Sequence, residues 1–386
     1  MRSVSVIGVG LTKFGERWDS SFRQLVAEAG IMALKDAKID GQSIEAVYGG
    51  CMASGRFIGQ EHVGALIADQ LGLNPIPSTR LEAACASGGV AFRNAYLAIA
   101  SGMHDVVAVG GVEKMTDVST EEAATALGGA GDQEWELFFG ATFPALYALM
   151  ARKHMQEYGT TEEQMAAVAV KNHDNGSMNP YAQYQNKITL ETVMKSTVVA
   201  SPLKLFDCSP ITDGAAVAIL CETGKAKKIC EQPIEILASA QASDTLALAQ
   251  RASLTELKAT KIAAKQAFEQ SHLAPKDIQL AEVHDCFTIA EILAIEDLGF
   301  FDKGKGGKAT EEGETKLNSG ISINTSGGLK AAGHPVGATG VKQAVECVWQ
   351  LRGNAGERQV KGAEHALAHN VGGSGATAVV HVFKKA

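Results

Sequence analysis

Two thiols and three histidine-bearing turns are the residues of this chain best suited to chemistry. Cys85 lies in EAACASGGVAF (82–92), followed by Ser-Gly-Gly and an Ala-rich helical run. Small residues there let a ligand approach the backbone, and a position just before a helix places free N–H groups beside the sulfur. An ordinary thiol has a pKa of about 8.5 and is only a few per cent thiolate at pH 7. A helix N-terminus and a neighbouring imidazole predict a lowered pKa at Cys85, hence a nucleophile with backbone donors to hold an oxyanion. EVHDCFT (282–288) crowds His284, Asp285 and Cys286 behind an apolar strand, at the kind of strand end where open α/β sheets carry their sites. SGGLKAAGHPVGATG (326–340) suspends His334 between Gly333 and Pro335, and AHNVGGSGA (368–376) sets His369 before the last strand.

Each residue also has a plain reading. A loop histidine is more often a satisfied surface group, and a cysteine after a β run is often core. Against that stands the coincidence of type: three turns each present an imidazole, and two thiols share similar settings. One thiol to carry an acyl group, a second to move a proton and histidines to activate and polarise suggest acyl transfer with carbon–carbon bond chemistry.

The elements that must position these groups nearly repeat. LVAEAGIMALKDAKIDGQSIEAV (25–47) aligns without a gap on TKIAAKQAFEQSHLAPKDIQLAE (260–282), with Ala29 on Ala263, Ala33 on Ala267, Ile39 on Leu273 and Ile44 on Ile278. Each reads as an amphipathic helix, a short polar turn and an apolar strand. CASGG (85–89) matches NTSGG (324–328), and the halves end in the β runs DVVAVGGVE (105–113) and GATAVVHVF (375–383). The expectation is an α/β chain of two duplicated halves, 1–235 and 236–386. An irregular insertion over about 116–205 sits late in the first half and reads as a lid. Within it, TTEEQMAAVAVKNH predicts a helix with a Thr161–Gln164 capping box, and NGSMNPYAQYQN a loop.

Composition narrows the classes. The 386 residues are 46% hydrophobic and 20% charged, too long for one small domain and ample for large cores. A net charge of −8 argues against a broad nucleic-acid footprint. The N-terminal apolar run, broken by Gly8 and Gly10, is too short for a signal peptide, and the chain lacks the roughly 18-residue apolar stretch that would span a membrane. In SVIGVGLTKFG the third glycine of a dinucleotide fingerprint would fall on Lys13, so Gly8 and Gly10 read as a strand-end turn. The seven cysteines are odd in number and form no C-x-x-C pair, which argues against a zinc ribbon or a disulfide framework. The expectation is a cytoplasmic protein with reduced thiols, no metal ligands, no nucleic-acid partner and no membrane.

The motifs together resemble the thiolase family. CASGG is similar to its nucleophile segment, GGVEKMTD to its strand-to-insertion junction and GGLKAAGHPVGATG to its histidine loop, in the family's order and across the whole chain. The best-known members carry Asn-Glu-Ala-Phe where this chain has His284-Asp285-Cys286-Phe287. They place a second cysteine in the last glycine loop, where this chain has His369-Asn370. The sequence thus resembles the sterol-carrier-protein and archaeal type.

This resemblance implies a five-layered αβαβα fold, a homodimer or homotetramer, and Claisen chemistry on coenzyme A thioesters without a tightly bound cofactor. It implies that Cys85 takes the acyl group while His334 activates that thiol and helps polarise a thioester oxygen. Cys286 removes or returns the α-proton. His284 and His334 would form one oxyanion hole, and the N–H groups of Cys85 and the Gly372-Gly373 turn the other, with His369 in support. PLKLFDCSPITDGAA (202–216) resembles the return from the loop domain, giving Cys208 and Ser209 as coenzyme A contacts, together with Lys330 as a point charge for a phosphate. Another condensing enzyme of the fold, such as a ketoacyl or hydroxymethylglutaryl-CoA synthase, and a non-catalytic acyl-CoA-binding subunit are the alternatives. The resemblance further implies a possible separate zinc-ribbon/OB-fold acyl-CoA-binding subunit and a hydroxymethylglutaryl-CoA synthase as partners.

Overall fold

The computed structural model describes residues 1–385. In chain order its strands are β1 (Val4–Leu11), β2 (Ala46–Gly50), β3 (Ser78–Leu81), β4 (Val106–Glu113), a hairpin of β5 (Val198–Ala200) and β6 (Leu203–Lys204), β7 (Gly214–Glu222), β8 (Ile234–Ser243), β9 (Leu280–Glu282), β10 (Ser322–Ile323), β11 (His365–Gly372) and β12 (Thr377–Lys385). β1, β4 and β7 are apolar runs buried almost throughout, the mark of strands covered on both faces.

Among the described residues one large sheet runs β10-β9-β11-β12-β8-β1-β7-β4-β2-β3. That order is symmetric about its centre: β8 answers β1, β12 answers β7, β11 answers β4, β9 answers β2 and β10 answers β3. The senses agree too. β2 runs parallel to β3 and β4, as β9 does to β10 and β11, while β4–β7 and β11–β12 are antiparallel. The halves join where β1 meets β8 antiparallel, from Val4↔Ile236 to Val6↔Ile234. One expected correspondence changes. GATAVVHVF, in β12, is the counterpart of β7, and the counterpart of DVVAVGGVE is β11. Both are buried along most of their length, so burial does not separate an inner parallel strand from an antiparallel one.

The helices used below are α1 (Phe22–Ala37), α2 (Ser87–Ala100), α3 (Thr120–Gly128), α4 (Phe143–Tyr158), α5 (Glu162–Gly176), α6 (Lys258–Ser271), α7 (Thr288–Asp297), α8 (Gly328–Ala332) and α9 (Thr339–Arg352). Helices α2 and α9 form the middle layer. Phe92, Ala95 and Ile99 from α2 and Val341, Val345 and Val348 from α9 share one core with Leu220, Ile236 and Phe383 of both sheet halves. Leu25, Ala29 and Ala33 of α1 cover the outer face of the first half against Ile7 and Ile219, and Ala259, Ala263 and Ala267 of α6 cover the second against Ala238 and Val380. The result is five layers, α-β-α-β-α. Helix α9 is buried nearly all round, so its polar side chains are paired. Lys342 meets Glu282 at 3.2 Å, and Glu346 meets Arg358 at 3.0 Å.

Gly8 and Gly10 lie inside β1 rather than at a strand-end turn. A Cβ at Gly8 would fall 2.4 Å from the Ala33 carbonyl oxygen, and one at Gly10 2.2 Å from that of Ala29. These glycines let α1 lie directly on the strand. The insertion carries α3, α4, α5 and the β5–β6 hairpin. Thr161 caps α5 through the capping box with Gln164. Leu146, Met150, Met165 and Val168 of the insertion pack on Ile289, Ile292 and Leu293 of α7, which seats it over the strand ends. Among the described residues no helix is long and apolar enough to cross a membrane.

Candidate active site

Cys85 sits in a tight turn between β3 and α2. Ala84 takes a left-handed φ of +53°, a conformation alanine rarely adopts. Ser87 holds it there: the Ala83 N–H donates to Ser87 Oγ at 3.0 Å, and that hydroxyl donates to the Ala84 carbonyl at 2.6 Å. The Gly372-Gly373 turn closes over the sulfur. A Cβ at Gly372 would lie 2.4 Å from the Ala83 carbonyl oxygen, and the Gly373 N–H lies close enough to favour a Cys85 thiolate.

The thiol's ionisation departs from expectation. Burial pushes Cys85 up to about 12, and the Gly373 N–H only partly offsets that. His334 is pulled down to about 3 and His284 well below its usual value, again chiefly by burial. A site this dry favours every neutral form. It rests as a neutral thiol among neutral imidazoles, so the deprotonating step must accompany attack.

His334 hangs between α8 and α9, its N–H bonded to Thr212 Oγ1 at 3.0 Å. Its Nδ1 lies 2.7 Å from Thr339 Oγ1, whose own proton goes to the Pro335 carbonyl at 3.0 Å. The Thr339 oxygen therefore accepts from Nδ1–H, which leaves the lone pair on Nε2. That Nε2 is buried with no protein partner among the described residues. Cys85 Sγ and one ring nitrogen each of His284 and His334 all lie within 4.8 Å of one another. The two rings meet edge-on, centroids 5.1 Å apart.

Cys286 follows β9, buried, with its pKa raised well above the usual thiol value by burial. Its sulfur contacts the hydroxyl of Tyr147 on α4, which also donates to the Gly373 carbonyl at 3.0 Å. Both sulfurs open into one cavity of about 210 Å³ together with His334, Tyr147 and Gly373. Met115, Leu127, Phe143, Ile211, Phe287 and Val336 give it an apolar wall, contributed by both halves and the insertion.

The remaining candidates divide. Cys208 and Ser209 line the cavity, and the Ser209 N–H donates to the Cys286 carbonyl at 2.9 Å. Lys330 does not line it. Its residue is 2% exposed, its ammonium stands 5.6 Å over the Phe206 ring beside Asp207 and Asp285, and burial lowers its pKa to about 8. Helix α8 is buried throughout, so its lysine turns inward and is not available to a phosphate. His369 does not line the cavity either. Strand alternation points it at α6, where its Nε2 is 2.9 Å from Thr260 Oγ1.

Its neighbour Asn370 takes the inward place, donating to the Cys85 carbonyl at 3.0 Å. Sequence reasoning passed over Asn370, Tyr147 and Thr339; the period of two along β11 is the signal that separates Asn370 from His369. Two buried carboxyls brace the loops. Asp285, raised to about 7, accepts from the Leu329 N–H at 2.6 Å and from Asn172 at 2.7 Å. Glu113 accepts from the N–H groups of Met52, Ala53 and Gly337, tying the end of β4 to the His334 loop.

Known proteins share this arrangement of halves. The thiolase N-terminal domain matches residues 4–224, and the thiolase C-terminal domain-like family residues 240–385. Acetyl-CoA acetyltransferase of Methanothermobacter thermautotrophicus is 58% identical over 385 residues, covering 100% of both chains. Sterol carrier protein 2 of Gallus gallus is 36% identical over 392 residues, covering 98% of this chain and 71% of that one. A solved Ltp2-ChsH2(DUF35) aldolase superposes with a TM-score of 0.86 at 25% identity, over 98% of this chain and 97% of that one. With both family domains matched in order and a full-length relative at this identity, the chain belongs to the thiolase family.

Proposed function

We propose that this acyltransferase passes acyl groups between a Cys85 thioester and coenzyme A, with acetyl-CoA as a partner. It joins two acetyl-CoA into acetoacetyl-CoA or cleaves a 3-oxoacyl-CoA with coenzyme A. The observation that carries this reading is the single cavity that receives both sulfurs beside the free Nε2 of His334. His334 Nε2 takes the Cys85 proton as the sulfur attacks the thioester carbonyl. The N–H groups of Cys85 and Gly373 hold the resulting oxyanion, and coenzyme A departs with that proton. His334, neutral again, takes the Cys286 proton, and the resulting thiolate removes an α-proton from the second thioester, whose enolate oxygen His284 and His334 face. The carbanion attacks the Cys85 thioester, forming the carbon–carbon bond and releasing the Cys85 sulfur, which takes the proton back from His334.

Cys208 and Ser209, on the cavity wall, are the coenzyme A contacts in this reading. The chain divides functionally into halves 1–235 and 236–386 and works in the cytoplasm as a homodimer or homotetramer. A separate zinc-ribbon/OB-fold subunit is a proposed partner. Its support is the Ltp2-ChsH2(DUF35) neighbour, whose name has two components. A decarboxylating condensing enzyme is disfavoured because it needs no thiol at position 286.

The test mixes the protein with acetoacetyl-CoA and coenzyme A and follows loss of the enolate absorbance. Cys85→Ser is expected to lower turnover by about 10³-fold or more. Cys286→Ala should still form the acetyl-enzyme from acetyl-CoA in a single burst while losing steady-state turnover. Inactivity of the unaltered protein on every 3-oxoacyl-CoA tried would overturn the reading.

A further inference from the structure

We propose that Asn370 is a positioning residue that fixes His284 as the Nε2–H tautomer, so that the ring offers a donor, not a lone pair, to the reacting oxygen. The inference rests on the function proposed above, and it begins with which way the Asn370 amide faces. Its Oδ1 accepts from the Gly89 backbone N–H at 3.1 Å. Its Nδ2 lies 3.0 Å from the Cys85 carbonyl oxygen and 3.2 Å from His284 Nδ1. Reversing the amide would set oxygen against the Cys85 carbonyl and NH₂ against the Gly89 N–H, losing both bonds. Two backbone groups therefore allow one orientation only.

With NH₂ facing it, His284 Nδ1 must accept. The ring proton then resides on Nε2. That nitrogen is buried with no protein partner among the described residues, and the ring stands in the cluster with Cys85 Sγ and His334. The site thus holds two imidazoles of opposite tautomer. Thr339 gives His334 a basic Nε2, and Asn370 gives His284 a donating one. One ring can take a proton while the other stabilises negative charge, although neither carries a charge at rest.

The slot for Asn370 is built to close tolerance. A Cβ at Gly89 would lie 2.8 Å from Oδ1, and one at Gly340 2.3 Å from it. Helices α2 and α9 leave room for this side chain and little else.

Two-bond ¹H–¹⁵N correlation on protein labelled with [¹⁵N]histidine reads the tautomer directly, His284 being assigned by comparison with His284→Asn. The unaltered protein should show His284 protonated on Nε2. In Asn370→Asp a carboxylate faces Nδ1 and draws the proton there, giving the Nδ1–H form or the imidazolium. Its turnover should fall on the order of 10²–10³-fold, the effect of one lost oxyanion donor, with KM within about threefold. Asn370→Ala should lose turnover similarly without acquiring the imidazolium signal.

An Nδ1–H signal in the unaltered protein overturns the inference, as does an Asn370→Asp enzyme with unchanged turnover. Should neither variant fold, the unaltered protein's spectrum decides alone. A correct tautomer in a protein inactive on all 3-oxoacyl-CoA substrates would strike the proposed function and leave the Asn370–His284 geometry standing.

Discussion

At the scale of single residues, the proposed nucleophile sits in a dry pocket without holding a charge beforehand. Cys85, pushed up to about 12, and His334, pulled down to about 3, stay neutral together until a thioester arrives. This predicts how the free protein reacts with iodoacetamide. Alkylation of Cys85, followed by mass spectrometry of its peptide, should rise about tenfold per pH unit from pH 7 to 10, because only the thiolate reacts. A rate already level between pH 6 and 8 would reveal a thiolate–imidazolium pair instead. The residues the proposed chemistry uses were legible as types in loops: Cys85, His284, Cys286 and His334 stand out by what surrounds them. Lys330 misled for a physical reason, and His369 stands behind the cavity wall for another. A histidine beside glycines looks loop-borne, yet β11 extends through it and strand parity turns it away. A lysine suggests a phosphate, yet burial of α8 turns it inward.

At the scale of elements, the approach of α2 to the start of α9 matters most, since it brings the Cys85 and His334 loops together. A Cβ at Gly340 would fall 2.2 Å from the Gly89 nitrogen, and one at Gly88 2.7 Å from the Gly337 carbonyl oxygen. These are backbone atoms, which cannot swing aside. Gly340→Ala should therefore cost about 1–3 kcal/mol of stability, seen as a lower urea midpoint, and lower turnover as well. An unchanged midpoint with full activity would contradict the geometry. The repeated helix–turn–strand units were readable because a buried stripe has a 3.6-residue period, and both copies keep it. The match of β4 with β11 was not readable, because strands covered on both faces lose the alternation that marks their place.

For the whole molecule, the two halves do not own separate interiors. α2 and α9 lie between both parts of the sheet, and one core draws on Phe92, Val345, Leu220 and Phe383 alike. Cutting the chain at the exposed turn after Glu231 should give fragments 1–231 and 232–386 that aggregate when made singly and recover thiolysis when made together. A single fragment that stayed soluble and unfolded cooperatively would show that the halves stand alone. Duplication itself was visible in the sequence through the echo of 25–47 in 260–282. The insertion was visible only as irregularity, and its gift to the site, Tyr147, was hidden because nothing local marks an aromatic residue as reaching across to Cys286 and Gly373.

The greasy lining around the two sulfurs has one more effect. Once coenzyme A has left, the covalent intermediate must wait for its second reactant, and Met115, Leu127, Phe143 and Val336 offer water few footholds beside it. Hydrolysis, the wasteful competitor, is starved by the same oily surround that keeps the resting thiol protonated.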